Sequence, residues 1–334
     1  MKKIILFFPL IITCLSMYAQ DKGFYIKPSG SYFIKVTPVE FPNVGTLQPR
    51  NVEGYLTAPS VQNPSGGQVV TSTETITGSF GQGWRAGVAG GYQFSKYLSF
   101  EFGVNYFQSE EKRMTRQYML DFDRTATALN LESKGEVHAL DVMPSLVFWL
   151  GNEGKFKPYG RIGAIVPVYG RLTISTSVID KYGLTRADQN AAGPVAVRNI
   201  NLQQEDEISP RPTVGFTGAL GFKTALSEKI SFFAEVEYRN ISVSSKEKEV
   251  TKYSGTATAT PNTGGATQNI ALSLANLSHA ERYTEYEDKI DQNSNVKGSN
   301  GSYTDPDRKS NDLRSYINIG GLGLNMGLIW KFYE

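Results

Sequence analysis

Apolar and polar residues alternate with period two along eight stretches of this chain. That is the mark of strands whose two faces meet different surroundings. The clearest stretch covers residues 98–107. Leu98, Phe100, Phe102, Val104 and Tyr106 share one face, and Ser99, Glu101, Gly103 and Asn105 the other. Just before it, Trp84, Val88, Tyr92 and Phe94 alternate with Arg85, Gly87, Ala89 and Gln93. Further on, Leu140, Val142, Leu146 and Phe148 alternate with Asp141, Met143 and Ser145. Ile162, Ala164, Val166 and Val168 oppose Tyr159, Arg161, Gly163 and Tyr169. Val214, Phe216, Leu220 and Phe222 oppose Thr213, Thr217 and Lys223. Ile230, Phe232, Val236 and Tyr238 oppose Phe233, Glu235, Glu237 and Arg239. The chain closes with Leu322, Leu324, Met326, Leu328, Trp330 and Phe332 on one face and Asn325 and Lys331 on the other. An eighth strand is predicted over residues 24–33, with Lys27 and Ser29 on its polar face.

The connections follow a rhythm of their own. Three are tight turns, at residues 95–97, 151–154 and 227–229. Four are long and polar, at about residues 34–82, 108–137, 172–212 and 242–316. Strands of roughly nine to twelve residues, short turns on one side and long loops on the other describe a transmembrane barrel. The predicted fold is all-β: an antiparallel up-and-down β-barrel of eight strands with long extracellular loops. The loops are rich in Thr, Ser, Asn, Gly and Asp at 71–77, 256–267 and 291–312, so they read as mobile, water-exposed segments. Stretches such as 69–76 are candidates for strands that continue above the membrane.

Mean hydropathy is −0.30. Outside the N-terminus no apolar run reaches the roughly 18 residues that a spanning helix needs. Residues 1–19 read as a signal peptide: Lys2 and Lys3 supply the charge, residues 4–12 the apolar core, and the cut falls before Gln20. The barrel then occupies residues 20–334. The only cysteine, Cys14, falls in the leader, so the mature chain has no disulfide. The 34 basic and 32 acidic residues nearly balance, which gives no basis for a nucleic-acid partner.

With its leader, eight alternating segments, loop rhythm and final strand at 322–332, the chain resembles the OmpA/OmpX-type family of eight-stranded outer-membrane barrels. The resemblance implies insertion from the periplasm and residence in the outer membrane. One departure is that Tyr333 and Glu334 follow Phe332, where the family usually ends on the aromatic residue of its last strand.

Charge decides which face meets lipid. A charged side chain at the bilayer midplane costs about 2–4 kcal/mol on the lipid face. Arg85, Glu101, Asp141, Arg161, Lys223, Glu235, Glu237 and Arg239 are therefore expected to turn inward and form a paired charge network in the lumen. Trp84, Tyr97, Phe148, Trp330 and Phe332 are expected as aromatic anchors at the two interfaces.

Signs of catalysis are sparse. The chain has two histidines, His138 and His279, and no HExxH, GxSxG or P-loop spacing. His138 and Asp141, three apart on one strand, face opposite sides. Asp305, Asp307 and Asp312 lack an EF-hand pattern, and neither a metal nor a cofactor is expected. The expected role is structural, adhesive or surface-interacting, carried by the loops, with outer-membrane lipid and an extracellular ligand or surface partner as contacts. A narrow porin-like channel or small-molecule uptake barrel is the alternative, and a lipid-modifying enzyme the third.

Overall fold

The computed structural model describes residues 22–34, 38–58, 67–151, 155–185, 195–261, 264–298 and 302–332. The predicted leader, with Cys14, and the terminal Tyr333 and Glu334 lie outside them. Eight strands close into a ring: β1 (Gly23–Ile34), β2 (Gly83–Gln93), β3 (Leu98–Ser109), β4 (Thr127–Trp149), β5 (Phe156–Asp180), β6 (Gly215–Ala225), β7 (Ile230–Asn240) and β8 (Gly321–Lys331). Each pairs antiparallel with the next, and β8 returns to β1. The register keeps like faces together: Val88 opposes Val104, Val104 opposes Val142, and Leu220 opposes Val236. Closing the ring leaves no free edge strand, as lipid surroundings that offer backbone groups no partner require.

The outer surface of the ring is apolar. Phe24, Ile26, Val88, Phe102, Ile162, Leu220 and Leu324 are all exposed. The eleven residues of β2, at a rise of about 3.3 Å and a tilt of about 40°, span roughly 28 Å, enough for an apolar band of about 25 Å. Aromatic rings rim the band. On the side of the tight turns, Phe24 and Tyr92 lie 4.8 Å apart, Phe156 and Phe222 5.5 Å, and Trp330 and Phe332 6.2 Å. On the opposite side stand Tyr32, Trp84, Tyr106, Tyr169 and Tyr238.

Two expectations need correction. The long connections are not simple polar loops. β4 and β5 run to 23 and 25 residues and rise well above the band. Alongside them the connections fold into further strands, which raises the count to nineteen among the described residues. Gly67–Thr75, Arg50–Thr57 and Lys112–Leu120 flank β4 on one side; Val195–Pro210 and Ser242–Pro261 flank β5 on the other. Residues 256–261, expected in a loop, thus lie in a strand, flanked by partner strands on both sides as far as Ala259. This extension has a core of its own, with Leu56, Met119, Leu129, Leu131 and Val178 buried together. Threonine and valine suit such strands, but their partners lie far away in sequence, so local pattern does not reveal the pairing.

The second correction is Tyr169, expected to face inward but half exposed. A bulge between Pro167 and Tyr169 inserts one unpaired residue into β5. Below it odd residues such as Arg161 and Ile165 point inward; above it even residues such as Leu172 and Ile174 do. One extra residue flips every later side chain to the other face. β5 ends at Asp180, whose buried carboxylate accepts from the backbone N–H groups of Tyr182, Gly183 and Thr185. Gly183 takes the left-handed backbone (φ 77°) that this turn requires.

Candidate functional site

An eight-stranded ring has an interior just wide enough for its own side chains. Five cations (Lys27, Arg85, Arg161, Lys223, Arg239) and four carboxylates (Glu101, Asp141, Glu235, Glu237) are buried in it. At mid-height they form one network. Arg161 Nη2 lies 2.5 Å from Glu235 Oε1 and 3.0 Å from Glu237 Oε2. The Arg85 fork donates to both oxygens of Glu237, at 2.8 and 2.5 Å. Lys27 Nζ bridges Glu101 at 3.3 Å and Glu235 at 3.6 Å. Neutral donors fill the remaining lone pairs: Tyr25 on Glu101, Tyr159 and Asn325 on Glu235, and Thr217 on Glu237. Such pairing offsets the cost of taking these charges out of water.

The network does not gather all eight expected residues. Asp141 and Arg239 make a separate pair, 2.9 Å apart, one layer higher. There Asn105 donates to Asp141, and the Arg239 guanidinium rests between the rings of Phe33 and Phe107. Its Nε and Nη1 find no acceptor among the described residues. Lys223 sits near the tight-turn end, 3.4 Å from the centre of the Trp149 ring. Lys27 was absent from the expected set, although its place on the polar face of β1 already marked it. Tyr159 shared the face of Arg161 in the alternation but was left out of the expected set, and Tyr25 was missed because an aromatic residue on an inward face looks apolar in the sequence.

Apolar layers close the lumen above and below. Toward the tight turns, Tyr25, Val147, Trp149, Tyr159, Phe233 and Ile329 pack together. Toward the extension, Phe33 and Phe107 lie beneath a larger cluster that includes Phe41, Phe80, Met114 and Ile174. Phe41 and Phe80 reach in from the first long connection, their rings 5.0 Å apart. The cavity left within the charged layer is about 10 Å³, hardly room for one water.

The barrel wall is incomplete at one place. Ile165 of β5 pairs with Gly215 of β6, but Leu172 pairs with Ile208 of the strand Val195–Pro210. Residues 166–171 between them have no strand partner on that side. A cavity of about 30 Å³ lies there, lined by Pro167, Gly170, Leu172, Ile208, Pro210 and Ile317 among others. Neither proline has an N–H to complete a ladder.

The expected anchors all stand on the outer surface, with Trp84 on the extension side and Tyr97, Phe148, Trp330 and Phe332 on the tight-turn side. His138 faces outward, its Nδ1 2.8 Å from the Tyr106 hydroxyl, while Asp141 faces the lumen. His279 opens a four-residue helix, and its ring lies 4.7 Å from that of Tyr283, tilted by 39°. The Asp305 carboxylate accepts from the Asp307 N–H, and that of Asp312 from the Leu313 N–H. No group of three His, Cys, Asp or Glu able to hold a metal occurs among the described residues. Inside the extension, burial pushes the Asp206 carboxyl above its usual range, against the pull of nearby Lys248. Burial likewise raises the Tyr286 hydroxyl.

Two solved structures are similar over nearly the whole chain. The outer membrane protein OprG from Pseudomonas aeruginosa is 11% identical, covering 95% of this chain and 99% of that one, with a TM-score of 0.36. The outer membrane protein W of E. coli is 13% identical, covering 94% and 100%, with a TM-score of 0.28. No curated protein sequence matches the chain. A family model described as the outer membrane protein beta-barrel domain matches residues 10–274. The chain therefore belongs to the outer membrane protein beta-barrel domain family and resides in the outer membrane.

Proposed function

We propose that this protein is a non-catalytic membrane anchor that displays a folded β-structure on the cell surface, for adhesion or for binding an extracellular partner. The filled lumen carries this reading. A conducting pore needs a continuous wet path, and here paired charges between two apolar layers leave about 10 Å³. The extension, by contrast, has strands and a core of its own, the build expected of a binding surface. The test is conductance of the purified, refolded protein in planar bilayers. No stable unitary steps are expected; large reproducible steps would replace this reading with a channel.

The gap in the wall favours a second reading, uptake of small apolar molecules from the bilayer side. Its support is the apolar cavity between Pro167 and Pro210. Gly170→Leu would fill that cavity, because a Cβ at Gly170 already comes within 3.3 Å of Pro210. If vesicles carrying the protein take up a small apolar fluorophore faster than empty ones, and Gly170→Leu abolishes the gain, the uptake reading prevails.

A further inference from the structure

The extension is an open sheet, and one of its two edges is unguarded. From end to end it runs Gly67–Thr75, Arg50–Thr57, Lys112–Leu120, β4, β5, Val195–Pro210, Ser242–Pro261 and Gln268–Ser273. Among the described residues, neither terminal strand pairs on its outer side. Native edges are usually blunted by charge, proline or a bulge. Gly67–Thr75 carries Glu74 and a bulge at Thr71. Gln268–Ser273 has none of these guards. No Asp, Glu, Lys or Arg occurs from residue 253 to residue 280. Ile270 lies opposite the buried Ala257 and so shares the inner face, yet at this edge it stands 37% exposed. Leu272, opposite Gly255, lies on the same face, and Asn269, Ala271 and Ser273 lie on the other.

We propose that this edge pairs with the same edge of a second copy on a facing cell, joining two extensions into one sheet. The proposal rests on the surface-display reading above and names its partner. The strand is its own complement. In an antiparallel pair centred on Ala271, Ile270 meets Leu272 of the second copy on one face, and Asn269 meets Ser273 of the second copy on the other. Every contact occurs twice, as a two-fold interface requires. An edge that meets itself must also be free of charge, because a charge near the axis would face its like. The neutral run from 253 to 280 meets that need. Symmetry then sets the orientation. The two-fold axis of such a pair stands perpendicular to the sheet, and these strands continue β4 and β5 out of the membrane. The axis therefore lies along the membrane plane, and the two barrels point in opposite directions. Residues 242–254, at a rise of about 3.3 Å and a tilt of about 40°, place the edge roughly 30 Å above the rim, clear of both membranes. A strand of six residues is small beside the roughly 1,600 Å² of a standard interface, so one pair is weak and many pairs between two cells act together.

The test follows clustering of two cell populations with different fluorescent labels. Cells displaying the protein are expected to cluster with one another and to exclude cells that lack it. Ala271→Lys sets like charges face to face across the axis, and clustering should be lost; Ala271→Glu should lose it as well. Cells carrying Ala271→Lys mixed with cells carrying Ala271→Glu should cluster again, because the axis then joins opposite charges. A gel-mobility difference between boiled and unboiled samples confirms that each variant forms the barrel in equal amount. Absence of clustering in the parent, clustering that survives Ala271→Lys, or no recovery in the mixture overturns the proposal. So does recruitment of cells that lack the protein, which would give the edge a foreign partner. Conductance tests the display reading separately: a protein that neither conducts nor clusters cells refutes the self-pairing alone.

Discussion

Arg161 and Glu235 approach to 2.5 Å although β6 lies between the strands that carry them. The arginine reaches past its neighbouring strand toward the barrel axis, and Tyr159 and Asn325 complete the carboxylate's shell. The same guanidinium also holds Glu237. Removing Arg161 would thus leave two buried carboxylates short of a partner.

Arg161→Met is accordingly expected to cost about 3–5 kcal/mol, the usual loss when one member of a buried ion pair is removed. Tyr106→Phe, on the outer surface, should cost far less. The check is a urea titration of the folded barrel in detergent or vesicles. An Arg161→Met midpoint equal to that of the parent would show that the network does not support the ring.

Phe80 seals the top of the lumen against Phe41, and it is almost fully buried. Phe80→Ala should cost about 3–5 kcal/mol, as for other large-to-small changes in a packed core. The loss should fall on the cap more than on the membrane ring. Hydrogen exchange is expected to speed up near residues 38–48 and 316–319 while β2 and β3 stay protected. Uniform acceleration would show that cap and ring unfold as one unit.

Asp206 predicts how the extension responds to pH. Its carboxyl is raised above the usual 3.8, chiefly by burial. The folded state therefore holds this proton more tightly than the unfolded chain. Stability from this group is fully present below the unfolded value and is lost as pH rises through the raised folded value. Asp206→Asn should make the extension more stable at neutral pH, change little in acid, and flatten the pH dependence across that window. Urea midpoints of parent and variant, measured through the window, supply the comparison; parallel curves would remove Asp206 from the account.

Closure depends on the last strand. β8 pairs with both β1 and β7, and Phe332 donates its N–H to the Phe24 carbonyl. Deleting residues 328–334 should abolish outer-membrane accumulation, because two edges would stay unpaired at several kcal/mol per backbone group in lipid. Phe332→Ala should reduce it, since the ring stacks on Trp330 at the interface. The readout is the amount of heat-modifiable protein in purified outer membrane. Normal amounts of the truncated form would place the closing strand elsewhere.

The sequence by itself determined the ring. Eight alternating segments, the turns between them and the inward parity of Arg85, Glu101, Arg161, Glu235 and Glu237 were all legible. Period two is a local property, and the cost of charge in hydrocarbon leaves one choice of face. Tertiary structure alone decided the rest. Glu235 pairs with Arg161 and Lys27, and Asp141 with Arg239, because ring closure and strand stagger set which inward side chains share a level. The bulge at Pro167 reversed the parity of β5, an outcome that depends on the register of its neighbours. The extension stayed hidden for the same reason. Its strands pair across long separations, so their partners are chosen by packing around Leu56, Met119 and Leu131 and not by any nearby residue.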